Sequence, residues 1–423
     1  MKNVRVRVAG MKAAYFCLGI IILTIVLGLG ACASERQAAV IAAPSPATEA
    51  AFTNIPTAST AMPSPVVNTP TLTASPTATA SATPTTPPTA TASPTATATR
   101  WSAEPHPLQI EVMRQQSYPG SEMTFEETLE SEGNYSQHVV SYLSDGYKIY
   151  ALMTIPNGAK PDTGWPVIVF NHGYVRPSHY STTGNYVPYM DMLASNGYIV
   201  FKSDYRGHGR SDGAETVGGG YGLPDYTADV LNAVASLQAY PDADPNRIGM
   251  WGHSMGGQIT LRAMVVSEDI KAGVIWGGVV SPYPDIIARW DFTRNPDFPP
   301  EMRESISATP QSSAGSWLQN FSGWVNEFAT KYGNPDENPA FWDTISPNNY
   351  LEDLSGPVQL HHSITDEMVP VAWSETLVEE LQAAGNTSYE LFTYPDDNHN
   401  IVVSYGTAMQ RTVDFFDRYV KGQ

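Results

Sequence analysis

The chain has 423 residues, 42% of them hydrophobic, two cysteines and a formal net charge of −19. That length and apolar share suffice for a large core without staples, and the strong acidity argues against nucleic acid and anionic polymers as partners. Cys17 and Cys32 both lie near the N-terminus, so the remainder carries no disulfide.

Met1 to Lys12 holds Lys2, Arg5, Arg7 and Lys12 and no acid, and Ala13 to Leu29 is uncharged and apolar. A basic start, an apolar run and small residues read as a secretory signal over residues 1–31. Removing it takes away four positive charges and leaves −23. Leu29-Gly30-Ala31-Cys32 resembles the lipobox of bacterial lipoproteins, which implies lipidation at Cys32. The alternative is an uncleaved membrane anchor, since the apolar run is nearly long enough to span. Both readings put the rest of the chain outside the cytoplasm, on the cell surface or anchored to the membrane.

Residues 32–100 are dominated by Ala, Thr, Pro and Ser, and the phrase Pro88 to Ala98 repeats Pro70 to Ala80 nearly intact. Such a segment cannot bury enough apolar surface to offset its ordering entropy. It reads as a tether reaching about 50 Å as a coil and about 200 Å when extended.

The folded part is expected over residues 101–423. A helix is predicted near Thr124 to Ser131. His138 to Leu143 and Tyr147 to Met153 flank Ser144-Asp145-Gly146 and read as a hairpin. Strands at Pro166–Phe170, Tyr198–Phe201, Arg247–Trp251, Ala272–Val280, Pro357–Leu360 and Ser388–Tyr394 then alternate with helices. The helices fall at Val187–Asn196, Tyr226–Tyr240, Gly257–Met264, Trp373–Ala384 and Thr407–Val420. That alternation predicts an α/β fold, a mostly parallel sheet with helices on both faces.

Residues 281–350 interrupt the rhythm and are too long for a plain loop. Trp317, Phe321, Trp324 and Phe328 recur at i, i+4, i+7 and i+11, one helical face. Either this face packs on the body, or the insertion is a cap whose Trp317 and Trp324 bind substrate.

Gly252-His253-Ser254-Met255-Gly256 lies between a strand and a helix. A glycine on each side of the serine lets the backbone turn sharply and lift the hydroxyl out of the sheet. A serine nucleophile needs a base, and the base an orienting acid, from loops at the carboxyl ends of strands. Asp366 and His399 follow the last two strands, in the order Ser, Asp, His. Asp396 and Asp397 remain second choices for the acid. The N–H groups of Met255 and Tyr174 are the expected oxyanion donors. No cofactor and no metal is expected: His361 and His362 lack a third ligand at a recognisable spacing, and Asp242-x-Asp244-x-Asn246 lacks the glycine and glutamate of a calcium loop.

Asp204-Tyr205-Arg206-Gly207-His208-Gly209, Asp244-Pro245-Asn246-Arg247-Ile248-Gly249, Gly252 to Gly257, Ser346-Pro347, Asp366 to Pro370 and His399 together resemble one family. It is the prolyl oligopeptidase-like branch of the α/β hydrolases, over Pro166 to Val420. The resemblance implies an α/β-hydrolase fold and a triad of Ser254, Asp366 and His399. Trp101 to Tyr135 is too short for the propeller that peptidases of the branch carry, and His172 stands where some of them place an oxyanion tyrosine. Both departures favour the small esterases of the branch. The leading expectation is a hydrolase of carboxylic esters acting on small molecules through an acyl-enzyme. The alternatives are a peptidase of the same chemistry, and a non-catalytic protein that holds a glycan or lipid with the cap aromatics.

Overall fold

The computed structural model describes residues 101–131, 133–214, 221–291 and 313–422; for 313–319 it describes the backbone only. The signal, the tether and Cys32 lie outside the described residues. Among the described residues, no helix is long and apolar enough to cross a membrane.

In chain order the helices are α1 (Ile110–Arg114), α2 (Val187–Ser195), α3 (Asp225–Gln238), α4 (Met255–Val266), α5 (Tyr283–Trp290), α6 (Ser313–Tyr332), α7 (Pro339–Ile345), α8 (Val371–Ala383) and α9 (Tyr405–Phe416). The strands are β1 (Thr124–Leu129), β2 (Tyr135–Ser144), β3 (Tyr147–Pro156), β4 (Trp165–Asn171), β5 (Ile199–Ser203), β6 (Ala243–His253), β7 (Ile270–Trp276), β8 (Val358–Ser363) and β9 (Tyr389–Tyr394). They form one sheet in the order β1-β2-β3-β5-β4-β6-β7-β8-β9. Pairing is antiparallel from β1 to β5 and parallel from there on. This is the α/β-hydrolase fold.

The central strands are apolar on both sides because both sides are covered. In β4, Val167 and Val169 join the core under α3 and α4, while Ile168 and Phe170 join the core under α2 and α9. Register brings the carboxyl ends level: Asn171 opposite Gly252, His253 opposite Trp276, and Trp276 opposite His361. The loops that leave these strands therefore meet at one edge.

Three local expectations are corrected. The stretch near Thr124 to Ser131 is an edge strand, not a helix. Its side chains find partners across the sheet: Glu126 accepts from Ser141 at 2.6 Å and pairs with Lys148 at 2.7 Å, and the Phe125 ring lies 5.1 Å from that of His138. Such cross-strand pairs outweigh a weak local propensity. The strand after α4 ends at Trp276 rather than Val280, because Gly277 enters the left-handed region at φ 50°. The last helix ends at Phe416 and finishes in a π turn over Asp417–Lys421.

The insertion between β7 and β8 holds α5, α6 and α7. Phe321, Val325 and Phe328 of α6 are buried. Phe321 meets Trp290 of α5 at 6.1 Å, and Phe328 meets Phe341 and Trp342 of α7 at 5.8 and 5.9 Å. Phe328 also meets His106 at 4.5 Å and Phe321 meets Tyr221 at 6.0 Å, so the aromatic face packs on the body. Trp324 is spent in the same way, partly buried between Phe321, Phe328 and Tyr283. Trp317 is on α6 among the residues whose side chains are not described.

Candidate active site

Ser254 sits between β6 and α4 at φ 55°, ψ −119°. A non-glycine residue there is strained and stays only because its surroundings demand it. They do so through close approach. A Cβ on Gly252 would come within 2.2 Å of the Gly256 carbonyl oxygen, and one on Gly256 within 2.0 Å of the Asn171 carbonyl oxygen. Both glycines of the motif are thus dictated by contact with their surroundings. The Ser254 N–H donates to Trp276 at 3.0 Å, and Val279 N–H donates back to Ser254 at 3.1 Å, which fixes the turn on β7. The Met255 N–H is at the first position of α4, where it has no partner within the helix.

Asp366 follows β8. Its Oδ2 lies 2.7 Å from His399 Nδ1 and 3.3 Å from His362 Nε2. Its Oδ1 accepts the N–H groups of Met368 and Val369 at 2.8 and 2.9 Å. Burial pushes this carboxyl up, but the hydrogen bonds from His362 and His399, the charge of His399 and the Val369 N–H outweigh it and hold the group well below the usual carboxylate range. An ionised Asp366 accepts the Nδ1 proton of His399 and fixes that proton on Nδ1.

His399 is placed by four contacts. Its N–H donates to Glu367 Oε2 at 3.2 Å, its carbonyl lies 3.1 Å from His253 Nε2, its ring centroid stands 4.6 Å from that of His253, and its Nδ1 meets Asp366. Two ties hold the Asp366 loop to the His399 loop: Ser363 and Thr365 hydroxyls each donate to the Asp397 carbonyl at 2.7 Å. Asp397 is not the partner of the His399 ring. Its carboxylate accepts the N–H groups of Asn398, Val403 and Ser404, and so shapes the loop instead.

Tyr174 follows Gly173 on the loop after β4, and its side chain is exposed. A Cβ on Gly173 would stand 3.1 Å from the His253 carbonyl, so this loop passes directly beside the elbow. The structure therefore brings Ser254, Met255, Tyr174, Asp366 and His399 to one end of the sheet.

The other expectations resolve by partners. His361 is buried between Tyr394 and Gln359, at 2.7 and 2.6 Å, and belongs to the core. Asp242 pairs with Lys160 and Asp244 with Arg247, each at 2.6 Å, which accounts for that acidic spacing. Sequence reasoning missed four residues that shape the site: His253, His362, Glu367 and Tyr186. His253 and Glu367 adjoin motif residues and could have been read from adjacency. Tyr186 had no signal.

Residues 145–397 match the X-Pro dipeptidyl-peptidase (S15) family. The chain belongs to that family. Among curated proteins it is 26% identical over 302 residues to a probable dipeptidyl-aminopeptidase B of Ajellomyces capsulatus. That stretch covers 67% of this chain and 28% of the relative. An acylaminoacyl peptidase of Pyrococcus horikoshii shares the fold at TM-score 0.51 and 24% identity, over 69% of this chain and 43% of that one. Acetyl xylan esterase 1 of Thermoanaerobacterium sp. shares it at TM-score 0.50 and 16% identity, over 73% of this chain and 90% of that one. The S15 family's fold thus occurs in both peptidases and esterases.

Proposed function

We propose that Ser254 is the nucleophile, His399 its general base and Asp366 the acid that orients the base. The N–H groups of Met255 and Tyr174 receive the oxyanion. The reaction has two halves. Ser254 Oγ adds to the substrate carbonyl while its proton moves to His399 Nε2. The imidazolium then gives that proton to the leaving oxygen and an acyl-enzyme remains. Water repeats the sequence, with His399 again as base, and frees the acid and Ser254.

The substrates we propose are carboxylic esters. The supporting observation is how the polar groups of the site are used. Glu367 accepts the His399 N–H, and Asp366 accepts from Met368, Val369 and His399. Tyr174, Ile364, Met368, Val402 and Val403 put exposed apolar or aromatic side chains on the same three loops, beside the exposed acids Glu367 and Asp396. The apolar part of that rim suits an apolar acyl or alcohol group, and Glu367 is engaged by the His399 N–H. The second reading, a peptidase releasing dipeptides, is favoured by the family's description and by the dipeptidyl-aminopeptidase relatives.

A substrate panel separates the two. Aryl acetates and short-chain esters should be turned over much faster than X-Pro anilides. Cleavage of X-Pro anilides as fast as esters would replace the ester reading by the peptidase. Ser254→Ala should abolish both turnover and fluorophosphonate labelling, and His399→Ala should lower kcat by up to about 10⁶.

We also propose that the hydrolase works outside the cytoplasm, anchored through a lipid on Cys32, a reading supported by the N-terminal sequence alone. Cys32→Ser should move the protein out of the membrane fraction. An intact mass showing an unmodified Cys32 would contradict the anchor.

A further inference from the structure

Tyr186 precedes α2 in a left-handed conformation, φ 65° and ψ 16°. A bulky residue seldom adopts it, so something holds Tyr186 there. Its hydroxyl is enclosed between two elements of the site: it accepts the N–H of Gly173 at 2.9 Å and stands 2.8 Å from Nδ1 of His253.

The proton count makes this contact directional. A phenol has one proton to donate. The His399 carbonyl, 3.1 Å from His253 Nε2, can only accept, so the one proton of a neutral His253 ring is on Nε2. Nδ1 is then bare and accepts the hydrogen bond of the Tyr186 hydroxyl, whose oxygen accepts from Gly173. Burial, with the neighbouring His399, pushes the His253 pKa down to about 3, in keeping with a neutral ring that carries this one proton. Three hydrogen bonds thus run from the Gly173 loop through Tyr186 and His253 to the loop of His399.

The segment that carries Tyr186 is anchored from beneath by β5. Buried Lys202 donates to the Asn185 carbonyl. Buried Asp204 accepts the hydroxyls of Tyr180 and Thr182. On the other side, a Cβ on Gly173 would approach the Tyr186 hydroxyl to 2.8 Å and His253 Nδ1 to 3.1 Å, so the loop fits only with glycine at that position.

We propose that Tyr186 is a positioning residue of this hydrolase: through Gly173 and His253 its hydroxyl sets the oxyanion loop, the nucleophile elbow and the base loop relative to one another. The inference rests on the reading of Ser254 as nucleophile, His399 as base and Tyr174 N–H as oxyanion donor. Tyr186 itself touches no reacting atom. It acts on the rate of chemistry by keeping donor and base in register, and hardly at all on ground-state binding.

The test uses the full chain with 4-nitrophenyl acetate, comparing wild type with Tyr186→Phe, His253→Leu, the double variant and Ser254→Ala. Displacing an oxyanion donor forfeits part of the 10²–10³ it supplies, so Tyr186→Phe should lower kcat about 10- to 100-fold. KM should stay within about twofold, and fluorophosphonate labelling should slow in proportion to kcat. Because the chain acts as a unit, the double variant should cost about as much as the worse single one. If Tyr186→Phe does not fold, His253→Leu gives the same split between kcat and KM. A kcat within about twofold of wild type, or losses that multiply in the double variant, would overturn the inference. Turnover retained by Ser254→Ala would instead overturn the triad beneath it, so the two failures are distinguishable.

Discussion

Asp366 keeps its charge out of water because three donors, the N–H groups of Met368 and Val369 and Nδ1 of His399, converge on its two oxygens, with His362 Nε2 3.3 Å away. That arrangement decides what a small change does. Asp366→Asn keeps the size but presents an amide, which favours the wrong tautomer of His399. We expect kcat to fall about 10⁴-fold on the precedent of this substitution in serine hydrolases, with a folded protein by circular dichroism. Under the proposed triad, a loss of less than tenfold would mean that another carboxylate orients His399.

At the scale of elements, Arg262 of α4 is the residue that fastens the insertion to the body. It is fully buried, and no carboxylate among the described residues pairs with it. Its guanidinium donates to the carbonyls of Leu108 and Ile345 and to the Tyr283 hydroxyl, at 3.0, 2.8 and 3.1 Å. Tyr283 in turn donates to the Tyr221 carbonyl at 2.5 Å. One cation therefore joins the segment before α1, helix α4, α5 and the end of α7. Lysine cannot reproduce a fork with three separate partners. Arg262→Lys should lower stability by about 3 kcal/mol or more, from hydrogen bonds of a charged donor lost in the core. Urea unfolding measures this, and a midpoint equal to that of wild type would contradict it.

For the whole molecule, histidines buried in the neutral form set the response to acid. Burial and the nearby His399 hold His253 at about 3, and burial with Arg411 holds His361 at about 3. Burial, with Lys331 and Arg262, holds His106 at about 4. In the unfolded chain each titrates near 6.5. Below pH 6.5 the unfolded state binds more protons than the folded one, so stability falls as pH falls. Each such group contributes about 1.4 kcal/mol per pH unit once fully below its unfolded value. His172 and His208, lowered by burial, add to this; Asp204, pushed up to about 7 by burial, opposes it, as do Asp225, Asp229 and Glu380, raised by burial. The depressed Asp366 contributes only at lower pH: its stabilisation holds above the ordinary carboxylate range and is lost as pH falls through its folded value. The urea midpoint should therefore drop steadily from pH 7 to pH 5. A flat or rising midpoint would show that these rings are protonated in the folded protein.

The periodicity of the central strands and helices is local, which is why the α/β order was legible without a structure. The Ser254 elbow was legible for the same reason: its two glycines lie two residues either side of the serine and answer to backbone contacts that allow no side chain. Asp366 and His399 were legible as loop residues after the last two strands, because parallel topology sends those loops to one edge. The edge strand at Thr124–Leu129 was not, since its side chains are satisfied by β2 and β3 rather than by neighbours in sequence. Nor was the use of Trp324, which depended on which surface the insertion covers. Tyr186 shows the limit most clearly. Its hydroxyl meets Gly173, 13 residues away, and His253, 67 residues away. Neither spacing repeats anywhere as a pattern, and only the packing of α2 and β4 against β6 puts the three groups within hydrogen-bond reach.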